Sequence, residues 1–592
     1  MPTYKTPLRD LRFVYYELFD GASLTRLPGF EEATPELVMD VVSEMGRFSE
    51  EILLPLNATG DREGCRLEDG TVRMPQGFRE AYKMYREGGW TGLTSRPAYG
   101  GQGLPYAVGI MVTEVLCATN LSFAMMTALS HGAYSALDLH ATDALKAAFL
   151  PKLVDGTWAA TMCLTEPQAG TDLGLLRMRA ESGADGACRL TGSKIFISGG
   201  EHDLTENIVH LVLARLPDAP AGIKGISLFV IPKLREEGGK LVPNGVSCGS
   251  IEHKMGIRAS PTCVINFEGS TGYLVGEAHK GMKAMFTFMN GARLHVGVQG
   301  LALAEASYQA AVQFARERLQ GRALSGAKYP RQEADPILVH ADVRRMLLTI
   351  RAFIEGSRAL TAWAALEIDH ANSDPDPERA MIGDDMASLL TPIIKAFQTD
   401  LGFEMTNHAL QVCGGYGYTV DYGVEQLVRD CRITQIYEGT NGVQALDLVG
   451  RKLPAHLGRY LRRFFHPVQQ FLAAEAGNPA LEEFVAPAAK AFERLQRATA
   501  WLAQESLENP DQAGAAATDY LHLFGYVALG FLWARMAKVA LAKGGGADSA
   551  FYAAKLATAR FYMQRVLPRS GALFATVMAG SGTIMEFPDS AF

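Results

Sequence analysis

Residues 163–172 read Cys-Leu-Thr-Glu-Pro-Gln-Ala-Gly-Thr-Asp, and at this segment the pattern of the sequence changes from helical to strand-like. A strand-like run from Thr161 to Leu164 enters the segment, and small or polar residues follow. Because Gly170 has no side chain, the backbone here can approach a planar, polar ligand closely. The same residues also suit an ordinary strand-to-turn connection. The segment marks the start of a β-rich region and is a candidate for ligand binding.

The sequence before this segment is helical from Thr34 to about Asp155. Thr34 and Pro35 have the residue types of a helix N-cap and a first helical turn. Apolar residues then recur at spacings of three and four, which predicts a helix with one apolar face. These residues are Leu37, Val41, Met45, Phe48 and Ile52. We expect an N-terminal helical domain over residues 34–159, after an extension of residues 1–33.

The sequence after the segment contains short runs rich in β-branched or aromatic residues and bounded by turn formers, which is the pattern of β-strands. The runs are Lys194 to Ser198, Ile208 to Leu216, Gly225 to Leu234 and Thr262 to Phe267. They predict a middle β-domain over residues 160–280.

Helical periodicity returns after Gly281. It extends over Ala284 to Leu319, Ile337 to Ile368 and Asp384 to Cys413, and an Ala-rich helical segment follows Lys452. We expect a helical bundle over residues 281–452 and an additional helical domain over residues 453–592. The order of helices, sheet and helices predicts an α+β fold with separate layers. No Gly-x-Gly-x-x-Gly motif follows a strand near the start, so a dinucleotide-binding βαβ unit is not expected.

The composition is that of an ordinary globular protein with several domains. The 592 residues exceed the usual size of one hydrophobic core; 48% of them are hydrophobic and 20% are charged. A net charge of −8, without a local cluster of Lys and Arg, argues against a nucleic-acid partner. The 8 Cys form no Cys-x-x-Cys pair, so we expect neither a metal site nor a disulfide framework.

The termini and the most apolar run bear on the compartment. Met1 to Phe13 contains no apolar stretch of the kind found in secretory signals. Tyr520 to Met536 is the most apolar run, but it contains His522 and Arg535 and is short for a membrane span, so we expect a buried core helix there. We therefore expect a cytoplasmic protein that does not cross a membrane.

A second candidate binding segment is residues 194–200, Lys-Ile-Phe-Ile-Ser-Gly-Gly. Phe196 at the end of the predicted strand can cover an aromatic ring, and the Ser198 hydroxyl can donate a hydrogen bond to the same ligand. A core strand that ends in a turn is the alternative.

A third segment, residues 411–418, reads Gln-Val-Cys-Gly-Gly-Tyr-Gly-Tyr and closes a long helical pattern. One Gly is enough to end a helix. The additional Gly residues indicate backbone that packs against a ligand or a neighbouring subunit. A flexible turn between two helices is the alternative.

The fourth segment, residues 429–441, reads Arg-Asp-Cys-Arg-Ile-Thr-Gln-Ile-Tyr-Glu-Gly-Thr-Asn. A lone Glu is usually a surface residue. Glu438, however, follows Ile436 and Tyr437 and precedes Gly439, which favours a partly buried carboxylate on a loop. Burial raises the pKa of a carboxyl group toward neutrality, and such a group suits the role of a general base.

These four segments, in this order and on a helix–sheet–helix layout, resemble the acyl-CoA dehydrogenase family over roughly residues 35–452. The motifs that carry the resemblance are Cys163 to Pro167 with Ala169 to Asp172, and Ile436 to Thr440. The resemblance implies an FAD-dependent enzyme that converts an acyl-CoA thioester to the trans-2-enoyl-CoA. Glu438 would take the α-proton while the β-hydrogen leaves as hydride, and an electron-transfer flavoprotein would accept the electrons.

The resemblance also assigns binding residues. The implied FAD contacts are Leu164, Thr165, Gly170, Thr171, Phe196, Ser198, Gln411, Gly414, Gly415, Thr440 and Asn441, with Arg318 at the pyrophosphate. The implied substrate contacts are Thr171, Arg293 and Gly439. A salt bridge on a helix surface is the alternative role for Arg293. The sequence departs from the common family pattern in having Phe196 for Trp, Gln168 for Gly and Thr171 for Ser, and no Phe three residues after Arg318.

The flanking regions resemble one subgroup of the family. Residues 4–10, Tyr-Lys-Thr-Pro-Leu-Arg-Asp, match its short N-terminal extension, and residues 453–592 match its extra C-terminal helical domain. The subgroup includes 3-methylmercaptopropionyl-CoA dehydrogenases of bacterial dimethylsulfoniopropionate degradation and enzymes that act on medium and long acyl chains. We expect the sulfur-containing substrate and a homodimer, in which the extra domain replaces the second dimer of tetrameric relatives.

Three other functions are compatible with the same fold. One is a medium- or long-chain fatty acyl-CoA dehydrogenase of β-oxidation. Another is an acyl-CoA oxidase, which shares the base and the flavin but passes electrons to oxygen. The third is a catalytically silent scaffold, against which the presence of Glu438 in its full motif argues.

Overall fold

The structure, a computed structural model, describes residues 3–183 and 186–592. The chain divides into two units, which are described separately. One unit comprises Met45–His295, and the other comprises the chain up to Glu44 together with Val296–Phe592. The predicted order of helices, β-sheet, helices and further helices is confirmed.

The N-terminal part of the chain is helical, as predicted, apart from one small hairpin. Thr34 caps the second helix, since its Oγ1 accepts a hydrogen bond from the backbone N–H of Leu37 at 3.3 Å. The helices are α1 (Leu8–Arg12), α2 (Pro35–Phe48), α3 (Leu54–Glu63), α4 (Phe78–Glu87), α5 (Tyr106–Thr119), α6 (Leu121–His140) and α7 (Asp143–Val154). The hairpin of β1 (Arg66–Glu68) and β2 (Thr71–Arg73) interrupts them, which the helical prediction missed.

The middle part of the chain forms a seven-stranded mixed sheet, in which β3 and β6 pair in parallel and most other neighbours are antiparallel. The strands that follow the hairpin are β3 (Trp158–Cys163), β4 (Arg179–Ser182), β5 (Ala187–Ser198), β6 (Asn207–Arg215), β7 (Ile226–Pro232), β8 (Leu234–Glu237), β9 (Lys240–Pro243), β10 (Val246–Ile251) and β11 (Thr262–Val275). β8 and β9 form a separate hairpin outside the main sheet. Leu211, Leu213 and Leu228 on one face of the sheet pack against helices α6, α7 and the start of the next helix.

The rest of the chain is mainly helical. The long helices overlap the predicted stretches, and the largest difference is that α10 begins at Pro377 and not at Asp384: α8 (Gly281–Glu317), α9 (Ala341–Ser373) and α10 (Pro377–Cys413). Short helices α11 (Gly415–Tyr418), α12 (Val424–Arg432) and α13 (Asn441–Asp447) follow. The C-terminal segment contains α14 (Ala455–Glu475), α15 (Glu482–Glu508), α16 (Pro510–Lys543), α17 (Ser549–Phe561), α18 (Arg569–Met578) and α19 (Gly582–Met585).

The C-terminal segment packs directly on the helical bundle of its own unit. A Cβ added at Gly525 of α16 would lie 2.4 Å from the ring of Phe397 on α10, so only Gly permits this helix approach. On α9, Gly356 lies against Leu529 and the indole of Trp533 in the same way. The segment is therefore part of the bundle's core.

Helix α16 is buried, as expected from the sequence, but it is longer than the apolar run that predicted it. The apolar run Tyr520 to Met536 is extended by Ala-rich flanks into a helix of 34 residues, which is long and apolar enough to cross a membrane by length and composition. Within the described structure, however, 83% of its most apolar window is buried. Core helices of soluble proteins have this property, so the helix is weak evidence for a membrane span.

Candidate functional site

The segment that follows β3 turns sharply. The backbone N–H of Glu166 donates to the carbonyl of Ala169 at 3.0 Å, and the N–H of Ala169 donates back at 2.9 Å. Gly170 and Thr171 then lie exposed, and no atom lies within 4 Å of the position that a Cβ on Gly170 would occupy. The turn therefore presents open backbone at the strand end, as a binding loop requires.

A buried ion pair holds this loop. The Lys194 Nζ on β5 donates to the Glu166 Oε1 at 2.8 Å and to the Leu164 carbonyl at 2.9 Å. The two side chains are 0% and 4% exposed. The second oxygen of Glu166 accepts the backbone N–H of Arg177 at 2.8 Å and the Gln168 side-chain amide at 2.6 Å. One carboxylate thus fixes both ends of the loop.

Burial and charge act against each other in this pair. Burial alone would raise the pKa of the Glu166 carboxyl, but the nearby ammonium of Lys194 and the hydrogen bonds to the carboxylate leave that pKa below its usual value. Burial lowers the pKa of Lys194, and the attraction of Glu166 opposes that shift. Each charge therefore depends on its partner.

Phe196 sits on a bulge near the end of β5. One residue of β11, Val264, lies opposite two residues of β5, Ile195 and Phe196. The φ angle of Phe196 is +58°. Beyond the bulge Ile197 takes the buried side of the strand, and the Phe196 side chain remains 59% exposed. A bulky residue at positive φ costs about 1–3 kcal/mol, so the fold holds this phenyl ring outward against a conformational penalty.

The structure brings some of the predicted contacts of the middle domain together. The backbone N–H of Ile195 donates to the Thr165 carbonyl at 2.9 Å, which joins the Leu164–Thr165 strand end to the bulge at Phe196. Ser198, two residues further along β5, is half-buried. The importance of Lys194 and Glu166 as a pair was missed from sequence. The alternation of β5 contained the signal, because Lys194 falls on the same strand face as the buried Leu190.

The Glu438 loop lies between a short 3-10 turn, Ile433–Gln435, and α13. Glu438 has a φ of +57° and is half-buried, and Gly439 has a φ of +86°. A Cβ on Gly439 would lie 2.6 Å from the Gln444 Nε2. Thr440 caps α13, since its Oγ1 accepts the N–H of Val443 at 3.3 Å. The sharp turn therefore depends on Gly at 439 and a hydroxyl at 440.

Buried side chains hold this loop from behind. Lys395 on α10 is fully buried, and its Nζ donates to the Gly439 carbonyl and to the Asn441 Oδ1, each at 2.7 Å. The Gln444 Nε2 donates to the Glu438 carbonyl at 3.1 Å. Sequence reasoning missed Lys395; a Lys within the apolar run Pro392 to Phe397 was the available signal. Asn441, predicted as an FAD contact, is buried and makes structural bonds.

The other predicted contacts lie in two further places. Gln411, Gly414 and Gly415 are exposed at the end of α10, and the guanidinium of Arg318 lies 5.4 Å from the ring centre of Tyr416 nearby. Arg293 on α8 belongs to the unit Met45–His295. Arg293 is 8% exposed, so it is not a helix-surface residue, and its guanidinium lies 5.8 Å from the ring centre of Phe286.

Family models match successive parts of the chain. They are the acyl-CoA dehydrogenase N-terminal domain (residues 40–157), middle domain (residues 161–270) and C-terminal domain (residues 279–453), and a model described as acetyl-CoA dehydrogenase C-terminal like (residues 464–588). A 3-methylmercaptopropionyl-CoA dehydrogenase of Ruegeria pomeroyi is 43% identical over 95% of this chain and 96% of its own length.

This chain belongs to the acyl-CoA dehydrogenase family. The broad-specificity linear acyl-CoA dehydrogenase FadE5 of Mycobacterium tuberculosis is 32% identical, with 100% of both chains covered. Among solved structures, Caenorhabditis elegans ACDH-11 in complex with C11-CoA has a TM-score of 0.78 at 20% identity, over 95% of this chain and 91% of that one. This last likeness shows that the fold, including the extra C-terminal helices, is shared.

Acyl-CoA dehydrogenases are FAD-dependent oxidoreductases that act on acyl-CoA substrates, and the described residues fit that cofactor. The outward phenyl of Phe196 offers a flat apolar surface to a ring system. The open backbone at Gly170 and the exposed Thr171, on the turn after β3, offer polar contacts. Among the described residues, 3–183 and 186–592, no cluster of His, Cys, Asp and Glu could hold a metal ion.

Proposed function

We propose that this acyl-CoA dehydrogenase acts on 3-methylmercaptopropionyl-CoA in dimethylsulfoniopropionate degradation, with Glu438 as its catalytic base. One observation carries the choice of substrate. The relative of that name is 43% identical across nearly the full length of both chains, whereas the broad-specificity linear acyl-CoA enzyme is 32% identical over the same extent.

The proposed role of Glu438 follows from how its loop is held. Its half-buried carboxylate would take the α-proton of the bound thioester. Gln444 and Lys395 donate hydrogen bonds to the carbonyl oxygens of Glu438 and Gly439, respectively, and these bonds restrain the loop backbone during proton transfer. The resemblance further implies that the Glu438 amide binds the thioester oxygen, and such a donor is typically worth ~2.7–4 kcal/mol. When bound, FAD would supply the acceptor for the hydride that leaves the β-carbon.

The test of the base is Glu438→Gln. We expect turnover to fall by at least ~10²–10⁴-fold, the usual contribution of a general base, while the flavin spectrum and the binding of a CoA thioester are retained. Glu425→Gln is a matched control, because Glu425 is also half-buried in the same region but pairs with Arg429 on its own helix. Near-normal turnover of the Glu438 variant would reject the assignment.

The test of the substrate is anaerobic flavin bleaching with a panel of acyl-CoAs. We expect the highest kcat/KM for 3-methylmercaptopropionyl-CoA, ahead of butyryl-CoA and octanoyl-CoA. A preference for the longer fatty chain assigns the enzyme to β-oxidation instead. Fast reoxidation of the reduced enzyme by oxygen, with peroxide formed, identifies an oxidase. A purified protein without a flavin spectrum would favour the alternative of a catalytically silent scaffold.

The proposal includes an electron-transfer flavoprotein as acceptor, a cytoplasmic location and a homodimer. The 8 free Cys suit a reducing compartment. The dimer is supported by an exposed patch of three Tyr and one Val beside Gly414 and Gly415, namely Tyr416, Tyr418, Val420 and Tyr422. Such a patch is typical of an interaction surface. Light scattering should give twice the chain mass of 64.1 kDa, and Tyr418→Asp should shift it toward the monomer.

A further inference from the structure

A single carboxylate, Asp400 on α10, binds both sides of the Glu438 loop. Its Oδ1 accepts the Gln435 Nε2 at 2.7 Å and the Asn441 Nδ2 at 2.7 Å. These two residues stand three positions before and three positions after Glu438 in the sequence. The side-chain oxygen of Asn441 in turn accepts a hydrogen bond from the Lys395 ammonium, which also donates to the Gly439 carbonyl. The orientation of Asp400 therefore sets the position of the whole loop.

The second oxygen of Asp400 is bound from the C-terminal segment. His522 on α16 donates from Nε2 to the Asp400 Oδ2 at 2.9 Å. The imidazole is itself fixed by an edge-to-face contact with Phe397, at 5.8 Å between ring centres. α16 is held in place by the close approach of Gly525 to the same Phe397. The hydrogen bond is therefore a rigid link between the extra domain and the loop.

The charge state of Asp400 agrees with this geometry. Burial would raise the pKa of its carboxyl, but the hydrogen bond and charge of His522, together with the amides of Gln435 and Asn441, keep that pKa below its usual value. An ionised Asp400 accepts from all of these donors at once, whereas a protonated one would lose an acceptor site. A donor at position 522 thus supports the form of Asp400 that the loop needs.

We propose that His522 is a positioning residue for catalysis, through which the extra C-terminal domain holds the Glu438 loop by way of Asp400. This inference rests on the proposed role of Glu438 as the base. It gives the extra domain a function in the reaction itself: without the His522 hydrogen bond, Asp400 loses its second anchor and Glu438 loses its alignment to the α-carbon.

The test compares two substitutions at the same position in the full-length flavoenzyme. His522→Leu removes the donor, and we expect kcat with butyryl-CoA or 3-methylmercaptopropionyl-CoA to fall about tenfold, with KM and flavin content near the wild-type values, as when an interaction made only in the transition state is lost. His522→Gln retains an N–H donor and should recover most of kcat. Equal activity of the two variants, or a loss confined to KM, would overturn the proposal.

A matched control separates alignment from simple domain docking. Arg569 on α18 also links the C-terminal segment to α10, through an ion pair with Glu404 at 3.0 Å, but the other ionic partner of Glu404 in the described structure is His408 on its own helix. Arg569→Gln should lower the melting temperature as much as His522→Leu does while kcat is unchanged. A parallel loss of kcat in Arg569→Gln would assign the effect to docking.

A double variant distinguishes failure of this inference from failure of the proposed base. In an enzyme that carries Glu438→Gln, His522→Leu should cause no further loss of the residual rate, because His522 acts through Glu438. A full tenfold further loss means that His522 acts elsewhere. If Glu438→Gln is itself nearly as active as the wild type, the proposed base is wrong, whatever the His522 variants do.

Discussion

Replacing Lys194 by Met tests whether the buried ion pair with Glu166 holds the loop that follows β3. The substitution leaves the Glu166 carboxylate 4% exposed with no cation beside it, although three N–H groups still donate to it. Removal of one partner of a buried pair typically costs about 3–5 kcal/mol. With a urea m-value of about 3 kcal/mol/M, the unfolding midpoint of this unit should fall by roughly 1–2 M.

The assay is urea titration of the flavin-loaded enzyme, with release of FAD followed by its fluorescence and unfolding followed by circular dichroism. Lys240→Met, at an exposed position on β9, is the control and should leave both curves unchanged. In the double variant Lys194→Met with Glu166→Gln, the loss should be smaller than the sum of the two single losses, because each single change already removes the attraction between the two charges. If the double variant instead loses the sum of the two single effects, the ion pair is not what holds the loop.

Two further predictions concern buried His residues and the bulge of β5. Burial lowers the pKa of His202 and of His210 to about 3, so the unfolded chain takes up protons first as the pH falls below about 6.5. The stability that each neutral ring contributes is complete above that pH, and at pH 5 on the order of 2 kcal/mol is lost per ring. Urea midpoints at pH 5 and at a pH above about 6.5 measure this loss of stability. His210→Gln should remove about half of the difference between the two pH values. Phe196→Gly should leave the melting temperature of the FAD-free protein equal or higher, because Gly adopts a φ of +58° freely. In the loaded enzyme the same variant should release FAD faster. Phe196→Ala keeps the strained backbone, and a flavin off-rate unchanged in both variants would show that the phenyl ring does not contact the cofactor.

The sequence predicted best those elements whose apolar pattern extends over many residues. The long helices α8 and α9 were predicted to within a few residues at each end, because apolar periodicity accumulates over many turns. Strand β5 was expected to begin at Lys194 but begins at Ala187. Its first half alternates Cys188 and Leu190 with polar residues, and the interruption at Gly192 hid the pattern.

The residues that support the candidate site were harder to predict than those in the motifs. Lys194 and Lys395 are both fully buried, although Lys is the residue type most often found at the surface. Each is buried because its partners come from another part of the chain: Glu166 is 28 residues from Lys194, and Asn441 is 46 residues from Lys395. The link from His522 to Asp400 spans 122 residues. Local pattern carries no information about such pairs, so only the folded structure reveals them.

Phe196 and Glu438 share a backbone property that no sequence pattern indicated: both are non-Gly residues at positive φ, +58° and +57°. Such a conformation costs about 1–3 kcal/mol and persists only where neighbouring contacts enforce it. The strand pairing on either side of the bulge holds the backbone of Phe196 in this conformation. The hydrogen bonds from Lys395 and Gln444 to the carbonyls of Gly439 and Glu438 hold the backbone of Glu438. This determines how the base must be tested. Glu438→Gly would remove the carboxylate and release the strain together, so its loss of rate would have two causes. Glu438→Gln keeps the same backbone demand and the same volume, and a loss of turnover in that variant reports on the missing proton acceptor alone.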